Sequence, residues 1–137
     1  MNYVIGIGEL GMNIKINLPD GRETTIDEII QFLYNLSKTD IDVLNVLASS
    51  GKPITTEEIA EKLNVTKASV SKALNNLIYK GLVQRRKAIS EEKKKGRPNY
   101  EYWIVKEELL EKIKKDLENI LNQIKSEIAA EAKAISA

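Results

Sequence analysis

The pattern of apolar and polar residues changes its period near Thr25. Before that residue, every second position from Met12 to Leu18 is apolar, which is the period of a β-strand. After it, apolar residues recur at intervals of three and four, which is typical of amphipathic helices. The change predicts a short N-terminal hairpin or strand arm over residues 1–24, followed by a helical domain.

Two helices are predicted directly after the arm. Thr25 and Glu28 have the spacing of a capping box, so we expect the first helix to begin there and to run to about Asn35. Thr39 is the predicted cap of the second helix. That helix is expected to stop before the run 49–53, Ser-Ser-Gly-Lys-Pro, which disfavours regular structure.

Two further helices follow at close spacing. Thr55 and Glu58 form a second candidate capping box, and Thr66 is the predicted cap of the fourth helix. Gly81 is expected to end that helix, because a left-handed residue is easiest for glycine. Two short helices joined by a turn at Asn64 and Val65 make a helix-turn-helix.

The arm contains a glycine motif, residues 6–11, which fits G-x-G-x-x-G after a predicted strand at Tyr3–Ile5. A dinucleotide site requires a helix to begin at these glycines, whereas the residues that follow have the strand period. We therefore interpret the motif as a glycine turn in the arm, and we expect no cofactor.

Composition excludes several classes of function. The chain has no Cys and no His, which removes disulfides, thiol nucleophiles, imidazole bases and zinc sites built on these residues. No catalytic constellation is visible, so we expect neither an enzyme nor a metal site. No apolar run is long enough to span a membrane and no signal peptide is apparent, so the expected location is the cytoplasm. Richness in Ile, Lys and Glu is typical of thermophile proteins.

Positive charge is concentrated in one block. The net charge is +1, yet Val65–Tyr100 holds ten Lys or Arg and only two acids, a balance of +8. The remainder must therefore carry −7. Such asymmetry indicates a polyanionic partner, since each phosphate contact releases condensed counterions. The alternative is a solvated charged loop.

The outer side of the fourth helix is short or cationic, and no acid occurs from Thr66 to Ser90. An ordinary amphipathic helix of this acid-rich chain would carry Glu or Asp there. Ser, Asn and Lys side chains suit base edges and phosphates in the major groove. The candidate DNA-binding residues of this helix are Thr66, Lys67, Ser69, Ser71, Lys72 and Asn75.

A basic hairpin is predicted after this helix. Residues 82–89 and 100–105 are the expected strands, and a polar tip joins them. In the tip, Gly96 and Pro98 flank an arginine that is suited to a narrow minor groove; the alternative is that they only shape an exposed turn. The candidate DNA-binding residues of the hairpin are Arg85, Arg86, Lys93, Lys94, Lys95 and Arg97.

The C-terminal region predicts a long helix from Lys106 to about Ala130. Its apolar residues follow the 3-4-3-4 spacing of a coiled-coil seam, which predicts pairing with a second copy; the alternative is a helix folded back on its own domain. The predicted dimerisation residues are Leu110, Ile113, Leu117, Ile120 and Ile124.

The stretch from Thr39 to Lys106 resembles the winged-helix domains of archaeal and bacterial regulators of the MarR and TrmB-like type. The resemblance rests on four segments, which are 54–60, 70–77, 81–85 and 96–98. It implies a dimeric transcription regulator on double-stranded DNA. It also implies that Lys67, Ser69, Ser71, Lys72 and Asn75 read the groove, with Arg85 and Arg97 near phosphates or the minor groove.

The chain departs from the resemblance in its effectors. It has no room for the sugar-binding domain of TrmB-like proteins, and it lacks the cysteine of redox-sensing MarR relatives. The sequence therefore leaves a small-molecule effector undetermined, and a pocket at the dimer interface could bind one.

These observations predict a mainly α fold with a small β wing (α+β), divided into an arm (1–24), a winged helix-turn-helix domain (25–106) and a dimerisation helix (107–137). The predicted function is a sequence-specific transcription regulator. Two alternatives stay open, which are a chromatin-like protein that coats DNA with low specificity and a winged helix used for protein–protein contact.

Overall fold

The structure, a computed structural model, describes residues 14–88 and 99–136. Its elements are β1 (Lys15–Asn17), β2 (Glu23–Thr25), α1 (Ile26–Tyr34), α2 (Lys38–Ser50), β3 (Ile54–Thr55), α3 (Thr56–Leu63), α4 (Lys67–Tyr79), β4 (Gln84–Lys87), β5 (Tyr100–Trp103) and α5 (Lys106–Ser136). The mainly α winged-helix fold with a small β wing is confirmed. The predicted strand at Tyr3–Ile5, the glycine motif and the wing tip lie outside the described residues. Two compact units divide between Lys106 and Glu107.

The N-terminal hairpin leads directly into α1. Strands β1 and β2 are antiparallel, with Ile16 opposite Thr24, and Gly21 in the turn has φ +92°, a conformation that favours glycine. Thr25 ends β2 and caps α1. Its Oγ1 accepts from Glu28 N at 3.2 Å, and Glu28 Oε1 accepts from Thr25 N at 3.1 Å. The capping box was predicted and is confirmed, whereas strand β2 was not predicted.

Helix α2 differs from its prediction at both ends. Its cap is Ser37 and not Thr39, because Asp40 takes the capping-box position usually held by Glu or Gln. At the other end, the helix includes Ser49 and Ser50, whose hydroxyls donate to carbonyls of the preceding turn. Gly51, with φ +65°, then ends it.

The core of the first unit lies between its helices. Helices α2 and α4 pack against each other and bury side chains that are at most 2% exposed. Each such aliphatic side chain contributes roughly 1.5–3 kcal/mol relative to an exposed one. The largest fully buried side chains are Ile30, Val43, Leu44, Leu47, Ile54, Ile59, Val70, Leu74 and Leu77.

The wing is one strand wider than predicted. The sheet order is β3-β5-β4, with Ile54 of β3 opposite Tyr102 of β5. Two residues are too few to show a strand period, so the sequence did not indicate β3. Because β3 leads directly into α3, it attaches the wing to the helix-turn-helix.

Helix α5 runs to Ser136, six residues beyond its predicted end at Ala130. The added residues include two alanines, a glutamate and a lysine, all good helix formers. At 1.5 Å per residue the helix is about 46 Å long. No helix among the described residues is long and apolar enough to cross a membrane.

Candidate nucleic-acid interface

A three-residue turn joins α3 to α4. Asn64 adopts the left-handed conformation (φ 56°, ψ 48°), and Val65 N donates to Ala60 O at 3.1 Å, so the end of α3 is closed by its own backbone. Thr66 then caps α4, since its Oγ1 accepts from Ser69 N at 3.1 Å. The predicted helix-turn-helix is therefore present, with both helix ends defined by local hydrogen bonds.

The first turn of α4 differs from that of the other described helices. Helices α1, α2, α3 and α5 each carry one or two acidic residues there, whereas α4 carries none. Aligned peptide dipoles leave partial positive charge at a helix N-terminus. In α4 no carboxylate of that first turn offsets this charge, so the end is suited to an external anion.

The apolar and the polar residues of α4 lie on opposite sides of the helix. Val70, Ala73, Leu74 and Leu77 are buried. Lys67 Nζ lies 3.9 Å from Glu57 Oε2, but both side chains are more than half exposed, and such ion pairs are weak. All predicted DNA-binding residues of the helix are exposed, and they are Thr66, Lys67, Ser69, Ser71, Lys72 and Asn75.

Tyr79, which is not one of the predicted DNA-binding residues, also lies on this exposed side. It is 86% exposed, four residues after Asn75 and seven after Lys72, which places the three on one side of a helix. That spacing was a usable signal. Only the N-terminal half of the helix was expected to meet base edges, and Tyr79 lies beyond it.

Two adjacent arginines of β4 have different surroundings. The Arg85 guanidinium lies 4.6 Å from the centre of the Tyr100 ring. Arg86 Nε lies 3.2 Å from Glu101 Oε1, and its guanidinium is 5.4 Å from the Trp103 ring centre. Successive residues of a strand point to opposite faces, so each arginine meets a different partner on β5. Within the described residues, only Arg86 of the two has an ion pair.

The remaining predicted wing residues, Lys93, Lys94, Lys95 and Arg97, lie outside the described residues. Lys87, which ends β4, is exposed and pairs with Tyr100 across the strands. The described part of the wing thus brings Arg85, Arg86 and Lys87 to one edge strand.

Comparison with known proteins identifies the family. Residues 34–92 match the family model described as MarR family. The ST1889 protein from the thermoacidophilic archaeon Sulfolobus tokodaii is 36% identical, covers 76% of this chain and is covered over 93% of its own length, with a TM-score of 0.60. The chain belongs to the MarR family. It is a winged-helix transcription regulator of the DNA-binding MarR type.

A second structure shares the fold of this MarR-family chain. A possible transcriptional regulator from Methanosarcina mazei Go1 is 21% identical, with a TM-score of 0.72, and the match covers 85% of this chain and 96% of that one. No curated protein matches the chain. The family match spans α2 to β4, which includes the whole helix-turn-helix but neither α1 nor α5.

Helix α5 of this MarR-family chain carries an unusually apolar exposed stripe. Ile113 is buried, whereas the other four predicted dimerisation residues are 36–50% exposed. The stripe continues beyond them. The large apolar residues of α5 that are exposed are Leu110, Leu117, Ile120, Leu121, Ile124, Ile128 and Ile135.

Asp27 is one of two described carboxyls of the first unit whose pKa is shifted, the other being Asp20. Burial raises the pKa of Asp27 in α1, the nearby Asp42 raises it further, and Lys38 opposes the shift. Within the described residues, Asp27 Oδ1 is buried without a hydrogen-bond partner. Asp27 is not one of the candidate interface residues. Its shifted pKa therefore affects the free energy of unfolding and not the DNA contact. Among the described residues, no group of three His, Cys, Asp or Glu is placed to hold a metal ion.

Proposed function

We propose that the chain is a dimeric regulator that binds double-stranded DNA with α4 in the major groove and the wing on the backbone and minor groove. The observation that carries the proposal is the exposed side of α4. Over thirteen residues this helix has no acid, and its first turn leaves the positive end of the dipole uncompensated. The major groove is about 12 Å wide and admits one α-helix.

The chemistry of the exposed side suits both phosphates and bases. Lys67 and Lys72 provide cations for phosphates or guanine, and Asn75 offers the paired donor and acceptor that match adenine. Ser69 and Ser71 are able to hydrogen-bond to phosphates or to base edges. Thr66 contributes indirectly, because its hydroxyl is already the cap of α4.

We add Tyr79 to this interface. It lies about 10 Å along the helix from Lys72, at 1.5 Å per residue. A helix that enters the groove by its N-terminal end meets the flanking backbone near its C-terminal end. The Tyr79 hydroxyl is therefore expected to donate to a phosphate, a contact that positions the helix without reading sequence.

In the wing, Arg85 is the described residue best placed for phosphate contact. Stacking on Tyr100 restricts its side chain before binding, so less conformational entropy is lost on contact. Arg86 is less available, because Glu101 already compensates its charge. For the tip, Lys93, Lys94 and Lys95 are proposed for the backbone and Arg97 for the minor groove, on their composition alone.

The stripe on α5 is proposed to pair with a second copy, with 25–106 as the DNA-binding domain and 107–137 as the dimerisation helix. Continued as a heptad beyond Ile124, the seam meets Glu127 and Glu131. An eleven-residue repeat avoids them and instead relates Ile113, Ile124 and Ile135.

This longer repeat extends the proposed interface to the end of the helix. Eleven residues in three turns give 3.67 residues per turn, which is close to a straight helix. The exposed members of this seam are Leu110, Leu117, Leu121, Ile124, Ile128, Ala132 and Ile135, with Ile120 at its margin, while Ile113 is already buried. A two-fold pair presents two α4 helices to half-sites about one DNA turn apart.

The test is selection of bound sites from a random DNA library, with the mass of the protein measured in solution. We expect a dimer, a palindromic site, and affinity for that site at least about 10³-fold above scrambled DNA. Equal affinity for both sequences favours the DNA-coating alternative. Absence of binding at low salt overturns the proposal and favours a protein–protein module.

A further inference from the structure

Asn76 of α4 and Lys80, the residue that caps the C-terminus of α4, turn away from the exposed side of the helix. Asn76 and Lys80 are four residues apart, so they lie on the same side of the helix. Asn76 Nδ2 donates to Asp40 Oδ2 at 2.8 Å. Lys80 Nζ donates to Tyr34 O and, at 3.3 Å, to Asn35 O. Both side chains therefore bind residues 34–40, at the end of α1 and the start of α2.

Asp40 is an unusual partner. It is 6% exposed, and it is the only Asp, Glu, Lys or Arg side chain among the buried described residues. Its Oδ2 accepts from Asn76 and also from Ser37 N at 3.0 Å. A buried carboxylate is tolerated only when donors surround it, so the start of α2 depends on a donor from α4.

Lys80 donates hydrogen bonds to carbonyls at the C-terminal end of α1. The last carbonyls of a helix lack partners within it, and the last turn of α1 contains no basic residue. Lys80 places an ammonium group there, where the helix dipole favours a cation. Although Lys80 belongs to the basic block of the sequence, its charge is directed to backbone carbonyls rather than to the proposed DNA surface.

The hydrogen bonds of Asn76 and Lys80 restrict the orientation of α4 more narrowly than apolar packing does. The buried Val70, Leu74 and Leu77 hold α4 against α2 by contacts that have no direction, whereas hydrogen bonds fix angle and distance. Helix α4 is about 20 Å long. A tilt of about 10° about its C-terminal end moves its N-terminal residues by about 3 Å, which exceeds the tolerance of a hydrogen bond to a base.

We propose that Asn76 and Lys80 are positioning residues, which set the angle of α4 and so determine how well Lys72 and Asn75 meet the DNA, without touching it themselves. The proposal rests on the proposed function, since it assumes that α4 reads DNA. We refer to the bonds of Asn76 and Lys80 to residues 34–40 as the polar latch.

The first variant is Lys80→Met, with Lys72→Met as the matched control, because both remove one lysine of the same helix region. Each is titrated with the selected site and with scrambled DNA at several salt concentrations. Lys72→Met should reduce the salt slope by about 0.9, the value for one lost phosphate contact. Lys80→Met should keep the slope of the unmodified protein, while its preference for the selected site falls on the order of tenfold, the size of one mismatched base pair.

The second variant is Asn76→Asp, which sets two carboxylates against each other, tested alone and with Asp40→Asn. The double variant removes the repulsion and reverses donor and acceptor. In the unmodified protein one atom, Asp40 Oδ2, accepts from both Asn76 and Ser37 N, so an amide at position 40 keeps only one of these two bonds in the same geometry. We expect the single change to lower the site preference and the double change to restore it in part. A merely structural role predicts instead that binding to both DNAs falls equally, because only the folded fraction changes.

Thermal unfolding followed by circular dichroism establishes that each protein is folded at the assay temperature. The latch is overturned if Lys80→Met lowers the salt slope as Lys72→Met does, or if neither it nor Asn76→Asp changes the site preference. The unmodified protein distinguishes failure of the positioning role from failure of the proposed function. If it binds DNA, these results judge the latch alone, and if it binds none even at low salt, the proposed function fails and the positioning role fails with it.

Discussion

Glu101→Gln should tighten DNA binding, because it removes the negative charge that is paired with Arg86. In the structure, Glu101 Oε1 lies 3.2 Å from Arg86 Nε, and the glutamate side chain is 28% exposed. Glutamine keeps the shape of the side chain and removes its charge. Arg86 then retains only a neutral hydrogen bond and the Trp103 ring, so its charge is available to a phosphate beside Arg85.

The magnitude follows from the charge released. One additional phosphate contact makes the salt slope more negative by about 0.9, which corresponds to about eightfold tighter binding at 0.1 M salt. The cost to folding is small, since an ion pair exposed to this degree contributes about 1 kcal/mol or less. The gain in binding should therefore appear without a measurable loss of folded protein.

The assay is fluorescence anisotropy with labelled duplex DNA between 0.05 and 0.3 M salt, about the range over which such slopes are measured. Glu118→Gln, on α5, is the control for the change in net charge. Arg86→Met in the Glu101→Gln protein should return the slope to its original value, whereas Arg86→Met alone should leave it unchanged. The reasoning is refuted if Glu118→Gln tightens binding as much, or if Arg86→Met alone reduces the slope.

Three other outcomes are expected. Ile124→Asp should convert the dimer to a monomer in analytical ultracentrifugation, while Asn122→Asp, which adds the same charge to another side of α5, should not; a dimer in both cases would place the interface elsewhere. Leu74→Ala should lower the free energy of unfolding by about 2–5 kcal/mol in urea, since the side chain is fully buried, and a loss below about 1 kcal/mol would mean that the site collapses around the cavity. For Asp27, a raised pKa in the folded state means that stability is lost as pH rises from the unfolded pKa through the folded one. Asp27→Asn should therefore gain stability relative to the unmodified protein at pH 7 and not at pH 3, and an equal effect at both would exclude ionisation as the cause.

The helix-turn-helix was predictable because its determinants are local. Capping boxes, an asparagine in the left-handed conformation and a glycine after α4 each involve residues no more than five apart in the chain. Each of them indicates directly where a helix begins or ends. The cap of α2 was misplaced for the same kind of reason. Asp40 fills the role expected of Glu or Gln, so the pattern at Ser37 was not recognised.

Other features depend on partners that are far apart in the chain. Strand β3 exists because Ile54 meets Tyr102, and its two residues have no period of their own. Arg85 and Arg86 look alike in the sequence, but the register of β4 on β5 gives only Arg86 a carboxylate.

The sequence by itself determined that a basic, acid-free helix follows a capped turn, because helix period, capping and charge are properties of neighbouring residues. Only the tertiary structure decided which of its polar groups remain available. Lys80 counts as one cation among ten in the basic block, yet it binds carbonyls of residues 34 and 35. Tyr79, one position earlier, is almost fully exposed. Adjacent residues of a helix differ by 100° in direction, and only the packing of α4 against α2 determines which direction faces the protein.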